Sequence, residues 1–337
     1  MSLVRAEMER LSARRFVQLM VVLLVLAFAV TAATTLAGSH KPSASELISA
    51  REQAVEARES MEARHQECLA RQEGTLPSEP SGYFPADCSE IDPIRQDRLP
   101  IAADYLPGVF SFAEQAEPLL YFLIAFLVLF GFLVGASYIG ADLNSGGVVN
   151  LLLWRPRRLT VLATKLGTLL GTVLVLALLA SAFYLATFWV IGQTAGLAGH
   201  LDGDFWRSLG AVHGRGLVLV LLASASGFAI ATLGRHTSAA LGAVAAYAVV
   251  WELGGRLVLE IVDARRPDQL MLSSHIAAWL SGETKFFDPQ LCLGNSADGY
   301  CEGFYSLTWG PALLVLLGLT GGLTAAAFAV FRRRDLI

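Results

Sequence analysis

Six long apolar stretches, separated by polar segments, set the plan of this chain: Phe16–Gly38, Pro118–Ile139, Leu159–Gly192, Leu209–Leu233, Ala239–Glu260 and Thr308–Phe331. Roughly 20 mostly apolar residues are needed for a helix to cross the hydrocarbon core. Each stretch meets that length, which predicts an all-α integral membrane protein with six transmembrane helices. The first is longer than the roughly 7–15 apolar residues of a cleavable signal, so we expect an uncleaved span.

Two polar segments interrupt the apolar pattern, 39–115 and 261–307. In the first, Ser43 followed by Glu46 matches a capping box, and Leu47, Ala54, Met61 and Cys68 recur every seventh residue as a narrow stripe. Arg64 and Arg71 interrupt the companion positions of that stripe, so a solvated helix rising from the first span is expected ahead of a stalk or substrate gate. Residues 74–107 read as irregular loop. In the second segment LMLSSHIAAWLSG, with Trp279, reads as a short amphipathic helix lying at the membrane interface.

Basic residues fix the expected orientation. Arg5, Arg10, Arg14 and Arg15 precede the first span; Arg155, Arg157, Arg158 and Lys165 lie between the second and third; Arg235 follows the fourth; Arg332, Arg333 and Arg334 close the sixth. With six spans all four groups fall on one side, so both the N and C termini are expected in the cytoplasm and both polar segments outside. Composition agrees: 54% of residues are hydrophobic and 16% charged, with a mean hydropathy of +0.54, against about a quarter charged in soluble domains.

Candidate chemistry is sparse. No phosphate loop, zinc spacing or catalytic triad pattern occurs. Four cysteines, Cys68, Cys88, Cys292 and Cys301, fall in the outer segments, where disulfides are expected. The simplest pairing is Cys68–Cys88 with Cys292–Cys301, one of three that are possible. Glu252 and Arg256 are spaced to neutralise each other on the fifth span. His200, Asp202, Asp204 and His213 surround the third-to-fourth connection, where glycines favour a polar turn over a metal site. Small residues in the fourth and sixth spans suit close helix packing or a dimer seam.

One segment is more specific. LNSGGVVNLLLWRPRR, from Leu143, contains a Ser-Gly-Gly like that of a nucleotide signature, but no phosphate loop or soluble α/β setting accompanies it. Instead IGADLNSGGVVNLLLWRPRRLTVLATKL resembles the most recognisable segment of the permease subunits of type-2 ABC exporters. Its order is an acid, a glycine linker, leucines, a proline among basic residues, and a lysine opening the next span. Asp142, Gly146, Leu151, Leu152, Pro156, Arg158 and Lys165 occupy those positions; Asp142 stands where members commonly have Glu, and Gly147 where they have Thr. The N-terminus, 1–15, is similar to the family's amphipathic elbow helix, with Leu3, Met8 and Leu11 towards lipid and Arg5, Arg10 and Arg14 towards water. The ending FRRRDLI also fits.

The resemblance divides the chain into an elbow (1–15), a first span (16–38), an extracellular insertion (39–115), spans two to five (116–260) with a cytoplasmic coupling loop (140–158), a second extracellular segment (261–307), and a sixth span with a basic tail (308–337). The insertion is not a general family feature. The resemblance implies a permease in the bacterial plasma (inner) membrane, paired with a second permease as homodimer or heterodimer, and with two copies of an ABC ATPase. ATP and magnesium would bind those ATPases; no cofactor is expected on this chain, and no nucleic acid partner. Val148–Arg158 would seat on the ATPase, Leu151, Leu152 and Leu153 burying apolar surface, Pro156 ending the helix, and Arg155, Arg157 and Arg158 meeting acids or lipid phosphates. An ATP-independent secondary transporter or channel is the alternative. An integral membrane enzyme is a more remote one, for want of a catalytic constellation.

Overall fold

A computed structural model describes residues 3–75, 84, 87–96, 98–147, 157–288 and 303–333. It is predominantly helical, with six helices long and apolar enough to cross a membrane: α2 (Arg15–Gly38), α4 (Phe112–Asn144), α5 (Arg158–Ala195), α6 (Gly203–Gly234), α7 (Thr237–Ile261) and α9 (Trp309–Arg333). Three shorter helices accompany them: α1 (Leu3–Ser12), α3 (Ala44–Gln72) and α8 (Leu272–Ser281). The chain is thus a multi-pass membrane protein. Each span begins and ends within a few residues of the apolar stretch that predicts it, except that α4 and α6 start one to two turns earlier.

The core lies between α4 and α6, each buried over about half of its apolar length. Lipid offers no hydrophobic drive for helix association, so close backbone approach must do the work. Glycines permit it. A methyl group on Gly135 would stand 2.3 Å from the Ser224 carbonyl oxygen, and one on Gly227 2.3 Å from that of Phe132. The small residues of the fourth span therefore serve packing within the chain. In the sixth, Ala312 and Ala327 are likewise buried, whereas Gly318, Gly321 and Gly322 face open space.

Span α7 is attached at its ends. Gly140 of α4 sits against its first residue, where a methyl would meet the Thr237 amide at 2.6 Å. Among the described residues of α7 only Ala240 is buried. Its middle, Ala248–Gly255, is π-helical, a wider winding that is rare and is seen mostly as single-turn bulges.

Opposite ends of the bundle are tied differently. At one end Ser39 donates to the Ala195 carbonyl (2.5 Å) and accepts from the Phe110 amide (2.9 Å), joining the ends of α2 and α5 to the residues that lead into α4. There a two-residue parallel bridge, β1 (Phe110–Ser111) with β2 (Gly196–Leu197), closes the α5–α6 connection. A short antiparallel ribbon, β3 (Glu283–Phe287) with β4 (Phe304–Thr308), leads into α9.

Helix α3 carries the expected capping box, Ser43 and Glu46 bonding reciprocally. Ala50, Ala54 and Cys68 are buried along one stripe. What covers the stripe is the loop that follows: Cys88 forms a disulfide with Cys68, and Arg58 holds the Pro100 carbonyl at 2.7 Å. Arg64 and Arg71 do not break this packing. Arg64 points to solvent, while Arg71 bonds Glu67 at 2.7 Å and lies over the Phe84 ring. Cys292 and Cys301 lie outside the described residues, as does their pairing.

Candidate functional site

At the opposite end of the bundle from Ser39, charges are buried together. Lys165, in the second turn of α5, is 2% exposed. An ammonium there is costly without partners. It has two, Glu7 Oε2 at 2.7 Å and Asp142 Oδ2 at 2.7 Å. Glu7 also accepts from the Tyr138 hydroxyl and from Arg10 at 3.3 Å. Asp142 is held on its other oxygen by Arg14, whose second nitrogen donates to the Ser137 carbonyl at 3.1 Å. The Tyr138 ring packs under both Lys165 and Arg14, with the cations 4.8 and 5.2 Å from its centroid.

The local sequence explains the assembly. Tyr138 and Asp142 are one turn apart on α4, so they share a face. Asp142 sits in the last turn of that helix, where the macrodipole disfavours an anion; Lys165 and Arg14 supply the compensation. Arg14 occupies the extended residue between α1 and α2, which lets it turn inwards. Glu7 and Leu11, one turn apart on α1, form its buried face. Gly146, at φ +72°, then takes the chain away from α4 through a left-handed residue that only glycine adopts freely.

The cluster thereby joins α1, α2, α4 and α5, and it closes the two ends of the 143–164 connection on each other. Of the residues expected to couple to an ATPase, Asp142 and Lys165 meet directly. Arg158 opens α5 and Gly146 closes the turn after α4. Leu151, Leu152, Leu153, Arg155 and Pro156 lie outside the described residues, as does most of the helix expected at 148–158.

Three sequence expectations need correction. Leu11 was expected to face lipid, yet it is 2% exposed and packs in the protein core, because α1 lies against α5 and not beneath the bundle alone. Arg14 was expected to face water and instead neutralises Asp142. Glu252 and Arg256 do not pair. Glu252 accepts from the Leu272 amide (2.8 Å), the Ser273 amide (3.1 Å) and hydroxyl (2.7 Å), and the Tyr247 hydroxyl (2.9 Å). Arg256 turns to Glu260 (3.1 Å) and Asp268 (3.6 Å). The π-helical winding alters the i,i+4 alignment, and the free amides opening α8 are better partners for a carboxylate than an exposed guanidinium.

The third-to-fourth connection forms a polar turn. Asp202 caps α6 by accepting from the Phe205 amide at 2.8 Å, and Asp204 pairs with Arg207 at 2.9 Å. No group of three metal-competent side chains occurs among the described residues. Sequence reasoning missed Glu7 and Tyr138. Tyr138 was recoverable as the residue one turn before Asp142; Glu7 had only its i,i+4 spacing to Leu11.

Comparison of the chain with protein-family models, with curated proteins and with solved structures finds no match.

Proposed function

We propose that this chain is the membrane-spanning permease subunit of an ATP-driven type-2 ABC exporter. The observation that carries the reading is the meeting of Asp142 and Lys165, the acid and the lysine that bracket the family-like segment. A force applied to the 143–164 connection from the cytoplasm is delivered through this clamp to α1, α2, α4 and α5 together. That is the mechanical requirement of a subunit moved by a separate ATPase. In this reading two ATPase copies, binding ATP and magnesium, engage Leu151–Arg158, and a second permease completes the pathway. The termini face the cytoplasm of a bacterial cell, and substrate moves outward.

The rival is a proton-coupled carrier, for which the buried carboxylate of Glu7 and the half-buried one of Asp142 would be the working groups. Their position at one end of the spans, beside the connection rather than midway along, favours coupling over conduction. The test is to purify the chain together with a candidate phosphate-loop ATPase, in nanodiscs, and to replace Leu152 and Pro156. Coupled ATP hydrolysis and complex formation are expected to fall together. If both survive unchanged, the coupling element lies elsewhere. If substrate movement persists without the ATPase and follows a pH gradient, the carrier reading replaces this one.

A further inference from the structure

Helix α8 is short, about 15 Å from end to end, and each end is held by a charge from a different span. Its first amides, those of Leu272 and Ser273, donate to the Glu252 carboxylate of α7 at 2.8 and 3.1 Å. At its other end the Arg215 guanidinium of α6 donates to the Leu280 carbonyl at 3.4 Å. Both signs suit the helix dipole, an anion at the N-terminus and a cation at the C-terminus. Neither charge belongs to α8, whose sequence LSSHIAAWLS contains no acid, lysine or arginine. The arginine contact is built into the backbone. Gly282, which follows α8 at φ +96°, has no room for a side chain: a methyl there would stand 2.8 Å from Arg215 Nη1 and 3.3 Å from Nη2. The Arg215 carbonyl also accepts from the Trp279 indole at 2.8 Å, so α6 grips the last turn of α8 twice.

Span α7 has little else to fix it. The tilt of a span is set by packing against its neighbours and by anchors at its ends. No residue in the most apolar stretch of α7 is buried, so the ends must serve. One end is the tight turn at Thr237 against Gly140. From the other end two routes lead back to the bundle. One is α8, reached through three hydrogen bonds to Glu252 and through Trp251, which donates to the Leu270 carbonyl just before the helix. The second is Asp268, which accepts from the Tyr305 hydroxyl of β4 at 3.3 Å and meets Arg256 at 3.6 Å. The first has more and shorter contacts. Trp251 and Glu252 also both emerge from the π-helical stretch, which puts the unusual winding at this joint.

We infer that α8 is a strut coupling α7 to α6: α7 tilts as an arm about its turn at Thr237, and the position of its far end follows α8. Glu252 and Arg215 are the two joints of the strut. Breaking the joint on α6, at the opposite end of α8 from α7, therefore releases the end of α7 just as breaking the joint on α7 does. Two caps that served α8 alone would keep each loss local to its own end. The strut acts alike in an ATP-driven subunit and in a carrier.

Pulsed electron resonance between two spin labels measures the position of the arm. The labels are carried by non-natural residues, which spares the cysteines, in the full chain reconstituted in nanodiscs with an excess of unlabelled chain. Ile261 at the end of α7 and Ser208 of α6, both exposed, report the arm; Leu129 of α4, also exposed, reports the α4–α6 core against Ser208. Tilting a helix of about 37 Å by about 10° moves its end by about 6 Å. Arg215→Leu and Glu252→Ala are each expected to shift or broaden the Ile261–Ser208 distance by that order, with Leu129–Ser208 unchanged. Tyr305→Phe, which opens the second route, is expected to leave both distances alone. An Ile261–Ser208 distance unchanged from the wild type in either Arg215→Leu or Glu252→Ala overturns the strut, as does an equal shift in Tyr305→Phe. Where Arg215→Leu disturbs Leu129–Ser208, Gly282→Ala decides on the same terms, because its methyl displaces the guanidinium while the charge stays.

Discussion

Lys165 of α5 donates to Glu7 of α1 across 2.7 Å, with both side chains all but removed from solvent. Partners 158 residues apart in sequence are thus joined through a contact that neither helix can drop cheaply. Removing one member of a buried pair leaves the other's desolvation uncompensated, at about 3–5 kcal/mol. Lys165→Met is expected to destabilise the chain by that order, seen as a lowered unfolding temperature in detergent. Glu7→Gln combined with Lys165→Met should recover part of the loss, because the glutamine no longer buries a charge while Arg14 still neutralises Asp142. A Lys165→Met protein as stable as the wild type would mean the pair contributes nothing net.

The spans were legible because the requirement for a spanning helix, a long apolar run, is local. The capping box at Ser43 and Glu46 was legible for the same reason. The clamp was only half legible. Asp142 and Lys165 lie on either side of one connection and stand out as ionisable residues at span ends, whereas Glu7 reaches Lys165 only through the folding of α1 onto α5. The Glu252–Arg256 expectation failed on a second non-local fact: the amides that capture Glu252 belong to α8, 20 residues further on.

Gly135 allows α4 and α6 to touch, a methyl there being 2.3 Å from the Ser224 carbonyl oxygen and 3.3 Å from the Phe228 amide nitrogen. Backbone atoms cannot swing aside as a side chain can, so Gly135→Ala must separate the helices. A loss of about 1–3 kcal/mol, the usual cost of overpacking, is expected. Gly322→Ala, into open space, is expected to be neutral or to stabilise by up to about 1 kcal/mol. Thermal unfolding of the two variants side by side decides it. Equal effects would show that the α4–α6 contact is not close-packed in the membrane.

Helix α3 starts with a pH-dependent cap. The Ser43 amide and then its hydroxyl, with a smaller contribution from His40, hold the exposed Glu46 carboxyl below its ordinary value of 4.5. A depressed pKa contributes stability that is present above the unfolded value and lost as pH falls through the folded one. Opening of the first turn of α3, read by hydrogen exchange corrected for its intrinsic pH dependence, should therefore increase below pH 4.5. Ser43→Ala keeps the amide donor and should move that onset only part of the way upward. An onset identical to the wild type would remove the hydroxyl from the account.

Glu252 connects α7 to α8 by capping a helix that its own chain neighbour cannot cap. Residue Met271, which precedes α8, has no side-chain acceptor for the first amides, and the carboxylate of Glu252 takes those of Leu272 and Ser273. Trp251, the residue before it, donates its indole to the Leu270 carbonyl at 3.1 Å, so two adjacent positions of the π-helical stretch grip the same loop. Losing a capping acceptor costs about 0.5–2 kcal/mol. Glu252→Ala should accordingly speed amide exchange at Leu272 and Ser273 several-fold, and Glu252→Gln, which keeps one acceptor oxygen, should fall between. Arg256→Leu supplies the discriminating comparison. Arg256 bonds Glu260 and Asp268 and not Glu252, so its loss should leave the first turn of α8 unchanged. If Arg256→Leu loosens that turn as much as Glu252→Ala does, the two side chains work as a pair in the membrane and the cap is secondary.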